Sequence, residues 1–90
     1  MVTVRLFAVF REVVGQKEVK IPAKNVQELI KSLSSKHEKI VPFLTKSTDP
    51  FVLEENIILV NGRSISFLDG LKTELKDKDV VSIFPPIGGG

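Results

Sequence analysis

VTVRLFAVF, residues 2–10, decides how the rest of the chain is read. Val2, Val4, Leu6, Ala8 and Phe10 form an entirely apolar set, whereas Thr3, Arg5, Phe7 and Val9 form a mixed one. That two-residue period predicts a strand over 2–10 with its even residues facing inward. Working outward, Gly15-Gln16 supplies a turn, Glu18-Val19-Lys20-Ile21 alternates again, and Pro22 stops the pattern. The two runs predict an N-terminal hairpin.

Beyond it, Asn25 followed by Glu28 is a helix start, because the Asn side chain accepts orphan amide protons and the Glu can reach back. Val26, Leu29, Ile30 and Leu33 recur at helical spacing, which predicts a helix over about 26–36 with one stripe on the sheet. Residues 38–55 read as a short helical turn and a loop, since Pro42 and Pro50 prevent a long regular element. Asn56–Val60 reads as a strand, and Asn61-Gly62 is a strong hairpin signal because both turn positions need φ > 0. Arg63–Phe67 is then its returning partner, Asp77-Lys78-Asp79 a turn, and Val80–Phe84 the last strand. One helix crossing one face of a mixed sheet of four to five strands is an α+β β-grasp. Its last strand should lie parallel to the first at the centre of the sheet.

Ninety residues allow one domain, and a chain this short has little room for a deep enclosed active site. The predicted organisation is a β-grasp domain over 1–84 and a flexible tail over 85–90. Hydrophobic content of 42% and charged content of 27% belong to a folded globule rather than a disordered chain. No apolar run approaches the ~20 residues of a membrane span, and no basic segment precedes the opening apolar stretch. The expectation is a soluble, cytoplasmic protein without membrane contact. Net charge is +2, with signs that alternate along the chain, as in Lys72–Asp79, so no nucleic-acid partner is expected.

Catalytic constellations are scarce. With no cysteine there is neither a thiolate metal site nor a thiol nucleophile. His37, the one histidine, has no second ligand in sequence reach, the serines lack a nucleophile-elbow context, and no bound metal or cofactor is expected. What remains is Phe84-Pro85-Pro86-Ile87-Gly88-Gly89-Gly90. Six residues after the strand extend roughly 20 Å at about 3.3 Å each, and glycines carry no Cβ to obstruct a narrow channel. Strand parity adds a partner-binding face. Phe7 and Val9 should point away from the helix, and Phe84 should lie outward beside Phe7, with Ile65 or Phe67 on the same face and Arg11 flanking it.

MVTVRLFAVFREVVG (1–15), LVNGR (59–63) and LKDKDVVSIFPPIGGG (75–90) together resemble the MoaD/ThiS family of ubiquitin-like sulfur carriers. The likeness covers the whole chain, is weakest over 38–55 and is nearest to the small subunit of molybdopterin synthase. The resemblance implies that the chain is not catalytic alone. An E1-like partner would use ATP to adenylate the Gly90 carboxylate, and a sulfur donor would convert it to a thiocarboxylate. Pro85–Gly89 would enter the partner's site, and the large synthase subunit would use the sulfur to build the dithiolene of the molybdenum cofactor. The same resemblance leaves open an archaeal ubiquitin-like modifier joined to lysine through Gly90, or a sulfur carrier for thiazole or transfer RNA.

Overall fold

In the computed structural model, which describes residues 1–44 and 57–84, the opening strand is shorter than its alternation predicts. β1 (Val2–Leu6) buries Val2, Val4 and Leu6. Ala8 then adopts φ 53 and ψ −127, which leaves strand geometry, and the helix α1 (Val9–Val14) follows. Ala8 is therefore exposed, and Phe10 reaches the core from a helix rather than from a strand. Gly15, in the left-handed region at φ 80, closes α1 by donating its N–H to the Arg11 carbonyl at 2.8 Å. β2 (Glu18–Ile21) pairs antiparallel with β1, Val2 opposite Ile21 and Arg5 opposite Glu18. The expected pairing is present, but its connection is helical.

α2 (Val26–Lys36) has the bounds its periodicity implies. The Asn25 side chain accepts from the Glu28 N–H at 2.8 Å, satisfying one orphan donor of the first turn. Val26, Leu29, Ile30 and Leu33 are buried against Val2, Val4, Leu6, Ile58, Val81 and Ile83 of the sheet. Each such side chain contributes roughly 1.5–3 kcal/mol by leaving water. A 3₁₀ turn (Glu38–Ile40) and α3 (Val41–Leu44) follow, with Pro42 in the first turn of α3, where its missing N–H costs nothing. The predicted loop over 45–55 and the strand start at Asn56 lie outside the described residues, as does the tail over 85–90.

β3 (Ile57–Val60) turns through Asn61 at φ 50 and Gly62 at φ 87 into β4 (Arg63–Ser64). These two left-handed residues form the turn whose twist matches a hairpin. The returning strand stops after two residues because the Ser64 hydroxyl accepts from the Ser66 N–H at 3.2 Å and starts a 3₁₀ turn over Ile65–Phe67. A second 3₁₀ turn covers Gly70–Lys72. β5 (Val80–Phe84) lies parallel to β1 and antiparallel to β3, giving the order β2-β1-β5-β3-β4. The result is the α+β β-grasp: a mixed five-stranded sheet with α2 packed across one face.

Candidate functional site: the outer sheet face at the root of the C-terminal segment

Inward positions of the central strands define what faces away from α2. Val81 and Ile83 are fully buried in β5, so Ser82 and Phe84 point to the other side, as Arg5 does on β1. The parallel register sets Arg5 beside Ser82 and Leu6 beside Ile83. One step further, Phe7 and Phe84 stack with ring centroids 4.2 Å apart and planes 12° from parallel. Both are half-buried, and such a contact contributes about 0.5–1.5 kcal/mol beyond its burial. Phe84 is the last described residue before Pro85–Gly90, so the stack stands where that segment begins.

The structure redistributes the other expected members of this face. Val9 belongs to α1 and packs partly against the core, because the chain left strand geometry at Ala8. Ile65 is only 5% exposed, since the 3₁₀ turn at Ser64 swings it inward, and it is not available to a partner. Phe67 is 89% exposed, but it follows β4 at the edge of the sheet, separated from β1 by β3 and β5. Arg11 is exposed on α1 and, with Arg5, Leu6, Phe7, Lys17 and Glu18, lines a cavity of about 310 Å³ beside the stack. Sequence reasoning missed Leu59. Ile58 and Val60 are buried, so Leu59 points outward, paired with Ser82 two register positions from Phe84. Parity in β3 carried that signal.

The described members of this face are aromatic, aliphatic, hydroxyl and cationic groups with one carboxylate, Glu18, in the cavity lining, and no cysteine exists in the chain. His37 is half-buried at the end of α2, where its backbone N–H donates to Leu33. Among the described residues no three His, Asp or Glu side chains are grouped to hold a metal ion, and no helix is long and apolar enough to cross a membrane.

Comparison with known proteins places these features in a family. The ThiS family model matches residues 4–90. Small archaeal modifier protein 3 from Haloferax volcanii is 39% identical over 89 residues, covering 96% of this chain and 95% of that protein. Among solved structures, small archaeal modifier protein 1 from Methanosarcina acetivorans superposes with a TM-score of 0.89 at 34% identity, covering 99% of this chain and 95% of the relative. A protein from Pyrococcus furiosus, provisionally named molybdopterin converting factor, subunit 1, gives 0.71 at 34% identity over 96% and 97% of the two chains. End-to-end likeness joined to the five-stranded β-grasp shows that the chain belongs to the ThiS family of ubiquitin-like sulfur carriers and modifiers.

Proposed function

We propose that this chain is a ubiquitin-like protein modifier whose C-terminal glycine, Gly90, is activated by an E1-like adenylating partner and joined to lysine side chains of target proteins. The observation that carries this reading is the 39% identity to a small archaeal modifier protein along nearly the full length of both chains. A carboxylate is a poor electrophile. Attack of the Gly90 carboxylate on the α-phosphorus of ATP releases pyrophosphate and forms an acyl adenylate, and a lysine amine then displaces AMP to give an isopeptide. The same adenylate attacked by a sulfur donor yields a thiocarboxylate, so modification and sulfur carriage share their first step. The partner supplies ATP, the pocket and the catalysis, while this chain supplies the acyl group and the docking face around Phe7, Phe84 and Leu59.

A second reading, the sulfur-carrying small subunit of molybdopterin synthase, is favoured by the likeness to the Pyrococcus furiosus protein named as a subunit of a molybdopterin converting factor. One experiment separates the two. The chain, tagged at Met1, is expressed in its own host, and covalent adducts are isolated under denaturing conditions and digested for mass spectrometry. After tryptic digestion, lysines carrying the peptide Asp79–Gly90 joined through Gly90 are expected, and they should vanish when Gly89 and Gly90 are deleted. Free chain bearing a terminal oxygen-to-sulfur exchange, with no adduct, would replace the modifier reading by the carrier one.

A further inference from the structure

We infer that the cavity between β1, α1 and the start of β2 receives a carboxylate-bearing segment of the adenylating partner, with Arg5, Arg11 and Lys17 as its cationic contacts. This rests on the proposed function, whose partner it describes further.

The charge distribution motivates it. The lining holds three cations and one anion, Glu18, whereas the whole chain holds 13 basic and 11 acidic side chains. Among the described residues the lining therefore carries an excess of two positive charges. The three cations come from three different segments. Arg5 stands in the outer row of β1, Arg11 on α1, and Lys17 ahead of β2, where its carbonyl accepts from the Leu6 N–H at 2.8 Å. Arg5 lies opposite Glu18 in the β1–β2 register, the placement in which the two could neutralise each other. Among the described residues, however, none of the three cations is engaged in an ion pair. All three are exposed, and a carboxylate is the anion that a planar guanidinium grips with two parallel hydrogen bonds.

Phe7 fixes which macromolecule the cavity serves. It belongs both to the cavity lining and to the stack with Phe84, so an object seated on the stack has its margin over the cations. An aromatic centre with a charged margin is the anatomy of a protein interface. Nucleic acid would need a longer row of cations tracking successive phosphates, and Glu18 interrupts this one. Because the charges are exposed, they act mainly on encounter rate and selectivity, and salt screens them.

The test measures adenylation of the full chain by the E1-like enzyme of the same genome, following pyrophosphate release. The double variant Arg5→Glu, Lys17→Glu is expected to raise KM roughly tenfold at low salt with kcat unchanged, and the difference should shrink at about 0.5 M salt. Glu18→Gln, which removes the one anion among the described lining residues, is expected to lower KM, an effect that damage to the fold would not produce. Thermal melts report whether each variant is folded. An unchanged KM in both variants while Phe7→Ser raises it would overturn the inference and leave the proposed function standing. A normal KM with loss of binding to a uridine oligonucleotide would reassign the cavity to phosphate and also overturn it. If the unaltered chain is not adenylated, the proposed function fails and this inference with it.

Discussion

The carboxylate of Asp79 accepts from the Lys76 backbone N–H at 2.7 Å and from the Asn61 side-chain amide at 3.0 Å, while Asn61 Oδ1 accepts from the Val80 N–H at 2.9 Å. One side-chain pair thus ties the β3–β4 turn to the residue that begins β5. The Lys76 N–H, and secondarily the Asn61 amide, hold the Asp79 pKa below its ordinary value of 3.8. A depressed carboxylate pKa adds stability that is complete above the unfolded value and is lost as pH falls through the lower folded one. Asp79→Ala should therefore lower the urea midpoint at neutral pH, and the gap to the unaltered chain should narrow in acid. A gap independent of pH would show that the charge of Asp79 contributes nothing. Ala8 is the opposite case, a non-glycine residue at φ 53 and ψ −127, where a Cβ is strained. Ala8→Gly should raise stability by about 1 kcal/mol in denaturant titration, and no gain would mean the site carries no strain. Asn25 and Asn61-Gly62 were legible in the sequence because their roles are local: a cap three residues from its donor and two residues that tolerate φ > 0. Ala8 was not, since the apolar alternation runs through it without interruption.

At the scale of elements, α2 and β5 were read correctly because each is longer than the ambiguity of its pattern. Four buried residues at helical spacing fix α2, and alternation fixes all five residues of β5. α1 hid inside the first alternating run. Val9, Phe10, Val13 and Val14 satisfy a helical stripe as well as the end of a strand, and only the backbone reversal at Ala8 decides between them. β4 failed for a similar reason, because the Ser64 hydroxyl captures the Ser66 N–H and converts the expected strand into a 3₁₀ turn. That local bond moves Ile65 from the surface to the core. The weight of α1 is testable through Phe10, which is fully buried. Phe10→Ala should cost about 3–5 kcal/mol in equilibrium unfolding. A loss under about 1 kcal/mol would mean that α1 is packed too loosely to matter.

For the whole molecule, sheet order determines which outward side chains meet. With β1 and β5 adjacent and parallel, Phe7 and Phe84 stack, and that part of the candidate face was legible from strand parity and the expected parallel pairing. Parity in β3 turns Leu59 outward, but its place beside Ser82 needed the antiparallel register of β3 on β5, and the cation cavity needed α1, which no strand reading supplies. Replacing both Phe7 and Phe84 with Ser should weaken the complex with the proposed adenylating partner by about 2 kcal/mol or more, while the isolated chain stays folded with a loss of about 2–3 kcal/mol. Unfolding without a binding defect would place the two rings in the core instead. The same parallel pairing has a mechanical side. Thr3 to Leu6 run beside Val80 to Ile83 in one direction, so Met1 and Phe84 emerge at opposite ends of the pair. A pull applied beyond Phe84 and resisted at Met1 slides β5 along β1, stressing the slanted hydrogen bonds of that ladder together rather than opening them one by one. Under the proposed function, a pull on the glycine linkage would therefore load the β1–β5 ladder in shear.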